Sequence, residues 1–146
     1  MNTLRMAEDF VRRAARFLRE ASLALSEGDW ATCLRRSQEC VEMSLKGVLR
    51  LVGVEYPRVH DVSDVLPTLG RSALPGWFRD ELPYLAETSR SLAKLRGLAM
   101  YGSEDELKPA SELFSADDAR RAYGDAEKVL RLCTSIIESW KSATAG

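Results

Sequence analysis

The chain has 146 residues, which suits one domain, residues 1–146, with one continuous core. Hydrophobic residues make up 45% and charged residues 29%, a mixture that excludes intrinsic disorder. Lysine and arginine (21) nearly balance aspartate and glutamate (22), for a formal charge of −1, so there is no global field for nucleic acid and any such binding needs a local basic patch.

The N-terminal stretch MNTLRMAEDFVRRAARF contains acids and no apolar run, so it does not read as a secretory signal. From Thr3 to about Ser26, Met6, Phe10, Ala14, Phe17, Ala21 and Ala24 recur every three or four residues, which predicts an amphipathic helix. Gly28 suits its C-terminal end and Asp29 suits the N-cap of a second helix. That helix runs from about Trp30 to Val52, with Trp30 placed to staple its start and Cys33, Leu34, Ser37, Cys40, Val41, Ser44, Leu45, Val48 and Leu51 as its buried stripe. Glu42 and Lys46 form a favourable pair at i,i+4. Gly53 and Pro57 end the helix.

A loop to Val59 leads into a short helix capped by Asp61, with Pro67 within its pattern and Gly70 closing it. A third long helix starts near Pro75 and continues to about Met100, and Pro83 implies either a kink or a fresh start. Tyr101 to Ser115 is the longest loop. Ser115 caps a last helix, with Asp117 and Asp118 near its positive end and a buried stripe from Ala119 to Trp140. No alternating run predicts a strand. The expected fold is all-α, an up-and-down bundle of four long helices plus one short helix.

Three cysteines, Cys33, Cys40 and Cys133, lie in apolar-periodic segments without a CxxC pair, so they read as buried free thiols in a reducing, cytoplasmic setting. One histidine, His60, cannot complete a zinc site, so no metal is expected. No stretch approaches about 18 uncharged apolar residues, so no membrane span is expected. Neither G-x-G-x-x-G nor G-x-x-x-x-G-K-S/T occurs, so no cofactor is called for.

Several segments together resemble the HEPN (higher eukaryotes and prokaryotes nucleotide-binding) domain. They are the Gly28-Asp29-Trp30 turn, Ser37 to Lys46 read as S-x-x-x-x-E-x-x-L-K, Pro57 to Val62 read as P-x-x-H-D-hydrophobic, and Arg96 to Gly102 as a late R…Y-G element. The resemblance covers about Met6 to Trp140. It implies a helical homodimer that binds nucleotide or RNA, or that holds a small nucleotidyltransferase in a toxin–antitoxin couple. The polar cleft would be formed by Glu42, Lys46, His60, Arg96 and Tyr101.

The family's alternative activity is metal-independent RNA cleavage, using an arginine and a histidine a few residues later. There the arginine stabilises phosphorane charge and the histidine moves a proton. Arg96 matches the arginine, but Tyr101 stands at the histidine position, and a neutral phenol is a poor general base near pH 7. In the partnered members a tyrosine near this motif is a target for nucleotide transfer, a role the resemblance offers to Tyr101. The plainer alternatives are a helix-entry role for His60, an ion pair between Arg96 and an acid such as Glu42, and Tyr101 capping the bundle end. The Arg12, Arg13, Arg16, Arg19 cluster and the Arg35-Arg36 pair have acids interleaved and read as solvated faces.

Overall fold

The computed structural model describes residues 3–145. Five α-helices follow in order: α1 (Thr3–Ser26), α2 (Trp30–Leu51), α3 (Gly76–Arg79), α4 (Leu82–Tyr101) and α5 (Ala116–Ala145). Two 3₁₀ turns, Leu66–Arg71 and Ala110–Glu112, lie in the connections. The architecture is the all-α up-and-down bundle that the apolar periodicity implies.

The α1–α2 junction follows its sequence signals. Gly28 takes a φ of 76°, and the Asp29 carboxylate accepts from the Thr32 amide at 3.2 Å as the N-cap of α2. All nine predicted stripe residues of α2 are buried. α2 is the central element, packing against α1, α4 and α5. Close approach to α1 depends on Gly47, where an added Cβ would come within 3.2 Å of Phe10. On α1 the buried stripe is Ala7, Ala14, Ala21 and Ala24, while Met6 is turned to solvent. The seven-residue spacing of Ala7, Ala14 and Ala21 presents one smooth face to α2.

Two prolines set where their elements begin, for the same reason, and at Pro83 the result is a fresh start rather than a kink. Proline has no N–H to donate and is tolerated only in the first turn of a helix. Pro67 therefore sits at the start of the 3₁₀ turn that opens at Leu66, and Asp61 does not cap a helix. Its carboxylate instead accepts from the Ser63 amide at 2.9 Å, closing a local turn. Pro83 likewise lies in the first turn of α4, so the expected third helix is split into the single turn α3 and the long α4. Phe78 of α3 is fully buried and meets Trp77 edge-on, with ring centroids 5.9 Å apart.

The α4–α5 connection is tied down. Gly102 adopts a φ of 74°, and Ser103 and Lys108 exchange backbone hydrogen bonds of 2.9 and 3.0 Å. Ser115 and Asp118 then form a reciprocal cap on α5: the Asp118 amide donates to Ser115 Oγ, and the Ser115 amide donates to the Asp118 carboxylate. Among the described residues there are no β-strands, and no helix is long and apolar enough to cross a membrane.

Candidate functional site

Residues four apart on a helix share a face. Gln38, Glu42 and Lys46 form such a row on α2, turned toward α4 and toward the loop that follows α2. Lys46 Nζ donates to Glu42 Oε2 at 2.8 Å, and Gln38 Nε2 donates to Glu42 Oε1 at 3.0 Å. Arg96 reaches across from α4, its Nη1 donating to Gln38 Oε1 at 2.7 Å. His60 Nδ1 lies 2.8 Å from Glu42 Oε1.

The loop holds His60 in place through α4. Ser89 Oγ accepts from the Val62 amide at 3.0 Å and donates to the Asp61 carboxylate at 3.2 Å. Burial pushes the Asp61 carboxyl up, but bonds from Ser63 and Ser89 and the nearby charge of Arg90 outweigh it, leaving the group below its ordinary value.

Glu42 is the junction of the network. Burial raises its pKa, yet hydrogen bonds from Lys46 and Gln38, the Lys46 charge and the His60 contact together bring it below the ordinary carboxylate value. An ionised Glu42 accepts from every neighbour. The His60 Nδ1 that faces it is therefore the donor of that contact, and Nε2 is directed away from the carboxylate. Gln38 is 2% exposed, so both ends of its amide are committed inside the protein.

A cleft of about 190 Å³ opens over this network, lined by Arg13, Phe17, Glu39, Met43, His60 and Arg96, with Glu42 at its base. Among the described residues Arg96 forms no ion pair with a carboxylate; its one protein partner is the neutral Gln38. Four of the five expected site residues, Glu42, Lys46, His60 and Arg96, thus belong to one connected network. Tyr101 does not line the cleft. It is 69% exposed at the end of α4, and five residues of helix turn it about 140° away from Arg96. Neither the Arg96–Glu42 ion pair nor a capping role for Tyr101 occurs.

Gln38 is the member that the sequence reading passes over, although its four-residue spacing from Glu42 carried the signal. The arginine clusters are largely neutralised: Arg12 pairs with Asp9, Arg16 with Glu20, and Arg36 with Glu20 and Glu39. Among the described residues no three His, Cys, Asp or Glu side chains group as a metal site.

Residues 7–137 match the family model described as the HEPN domain. The chain belongs to the HEPN family. It is 27% identical over 138 residues to a Methanocaldococcus jannaschii protein described as a putative toxin, a match covering 92% of this chain and 90% of that one. It is also similar to a crystal structure of an archaeal HEPN homologue, with a TM-score of 0.65 and 25% identity over 90% of this chain and 97% of that chain. In this HEPN domain Arg96 of α4 and His60 of the loop after α2 line the same cleft.

Proposed function

We propose that this HEPN chain is a phosphate-recognition and partner-binding module of the toxin–antitoxin kind, holding a nucleotide or single-stranded RNA on Arg96. The observation that carries this reading is the fixing of Arg96 by a buried neutral side chain. A guanidinium has five N–H donors in a planar fork, and one contact to Gln38 leaves donors and the full positive charge for a phosphate in the cleft. The relative described as a toxin supports the toxin–antitoxin assignment. The buried free thiols Cys33, Cys40 and Cys133 suit a reducing compartment such as the cytoplasm.

The module works as a homodimer beside a small nucleotidyltransferase, with Tyr101 as acceptor. The exposure of Tyr101 supports that role, because an acceptor phenol has to enter another protein's active site. In the transfer, the phenol oxygen attacks the α-phosphorus of a nucleoside triphosphate. The new O–P bond displaces pyrophosphate, and the phenol proton passes to a base of the transferase.

One observation favours a second reading, a metal-independent endoribonuclease. His60 lines the same cleft as Arg96, so an imidazole is available near a bound phosphate although the motif position holds Tyr101. The test is binding and cleavage of labelled single-stranded RNA in EDTA, comparing the native protein with Arg96→Ala. Arg96-dependent binding without cleavage supports the module. Cleavage that disappears in Arg96→Ala supports the enzyme. RNA that is neither bound nor cut, together with no binding of a mononucleotide, refutes both.

A further inference from the structure

The polar row of α2 does not end at Lys46. One turn further, Arg50 donates to the Tyr56 phenol oxygen at 3.2 Å, and its guanidinium lies 5.3 Å from the centroid of that ring. The Lys46 ammonium lies 5.2 Å from the same centroid. Tyr56, from the loop after α2, thereby holds two cations together by their attraction to its ring. Arg58 joins Arg50, Tyr56 and Glu55 around a second hollow of about 320 Å³.

Two guanidiniums face one carboxylate there, so the hollow carries 2 − 1 = +1 in a chain whose net charge is −1. Among the described residues neither Arg50 nor Arg58 forms an ion pair, whereas Arg12, Arg36, Arg90 and Arg120 each hold a carboxylate at 2.6 to 2.7 Å. The two hollows share no lining residue, but a chain of side-chain contacts links them. Lys46 touches Tyr56 on one side and Glu42 on the other, and Glu42 touches His60, which lines the Arg96 cleft.

We infer that Arg50, Tyr56 and Arg58 form a second phosphate subsite, so that single-stranded RNA lies along α2 with one phosphate on Arg96 and another, further along the strand, between Arg50 and Arg58. The inference rests on the Arg96 reading above and names the ligand as a chain rather than a mononucleotide. Paired guanidiniums match phosphate oxygens bidentately. A single nucleotide fills one hollow, while a strand several nucleotides long reaches both. Tyr56 acts here as a positioning residue that keeps Arg50 and Lys46 on the track, and its ring is already engaged by cations rather than left open to a base.

The test measures dissociation constants for a diribonucleotide and an octaribonucleotide, by calorimetry in EDTA, at two salt concentrations. The native protein binds the octamer at least tenfold more tightly than the dimer. Arg50→Ala/Arg58→Ala removes that gain, and the salt slope on the octamer falls by about 0.7, the value for one lost phosphate contact on a single strand. Arg50→Lys/Arg58→Lys keeps most of the slope, because the charge remains. Thermal melting of each variant confirms that it is folded. If the native protein binds the dimer and gains nothing from length, the subsite is wrong and the Arg96 reading stands. If the double alanine variant keeps the gain, the subsite is again wrong. If oligoaspartate of equal length binds as tightly as the octamer, the ligand is an acidic peptide and the RNA assignment falls. If neither oligonucleotide binds, the Arg96 reading falls and takes this inference with it.

Discussion

Glu42→Gln tests the polar network at its junction. The substitution keeps the shape and removes the charge. The new amide has one oxygen to accept with, where the carboxylate offers two oxygens to Lys46, Gln38 and His60. Lys46 is the group that suffers. Its side chain is 12% exposed and that of Glu42 is 14% exposed, so the pair is mostly out of water. Removing one partner of a fully buried pair costs about 3–5 kcal/mol, because the other charge is left uncompensated. At the edge of a cleft some water reaches Lys46, and His60 is half exposed, so the expected loss is about 2–3 kcal/mol. For a chain of this size that lowers the Tm by roughly 6–10 °C.

A second variant separates lost charge pairing from general damage. In Glu42→Gln/Lys46→Met the orphaned ammonium is gone, and an apolar side chain of similar length fills its place, so at least half of the lost stability returns. The sign of the pH dependence follows from the lowered Glu42 value. Its folded pKa lies below its unfolded one. The stabilisation is therefore complete above the ordinary carboxylate value and is lost as pH falls through the folded value. Asp61 titrates in the same direction in both proteins, so the native-minus-variant difference isolates Glu42. Urea unfolding between about pH 7 and pH 3 reads both effects, and the difference should shrink toward acid. The reasoning is refuted if Glu42→Gln lies within about 0.5 kcal/mol of the native protein at pH 7, or if the double variant is no more stable than the single one.

Three other outcomes are expected. Gly102→Ala should cost about 2 kcal/mol or more, because φ is 74° and the new Cβ would sit 2.4 Å from the Lys108 carbonyl oxygen; thermal melting and faster amide exchange at Ser103 and Lys108 report it. Leu107→Gly should stabilise by about 0.5–1 kcal/mol, since Leu107 holds a φ of 56° while 87% exposed and loses no packing; a lower Tm would contradict this. Burial pushes the Cys40 thiol up to about 12 and the Cys133 thiol higher still, so iodoacetamide at neutral pH should modify neither faster than the chain unfolds, and labelling should accelerate only as urea is added.

The helices were legible because their buried faces repeat at helical spacing and their ends carry local signals. Asp29 and Ser115 act as caps through bonds to residues three positions away, which a sequence displays directly. Asp61 shows the limit of that approach. It has the composition of a cap, but its partners are Ser63 nearby and Ser89 on α4, and no local pattern announces a contact spanning 28 residues. The same limit governs the site. Glu42, Lys46, His60 and Arg96 were visible as residue types in a familiar order, and the α2 spacing joined two of them. The bridge that joins α4 to the rest is Gln38, whose contact to Arg96 spans 58 residues. Tyr101 was grouped with Arg96 by nearness in sequence, and the turn of α4 carries it elsewhere.

The identity of residue 38 decides what Arg96 can do. Glu42 already accepts from Lys46, Gln38 and His60, so it has little capacity left for a fourth donor. Gln38 stands between it and Arg96, presenting its amide hydrogens to the carboxylate and its carbonyl oxygen to the guanidinium. The amide transmits position without transferring charge. Arg96 is held by a hydrogen bond of 2.7 Å, and its positive charge is not neutralised. A glutamate at position 38 would hold Arg96 through an internal salt bridge and set a second carboxylate against Glu42, cancelling the charge a phosphate needs to find. Burying an amide between a carboxylate and a guanidinium leaves the cleft with an oriented guanidinium that has no ion pair among the described residues, beside an imidazole whose Nδ1 is already engaged. The proposed anion role of the cleft rests on that arrangement, which separates Arg96 from the paired arginines on the outer faces of α1 and α2.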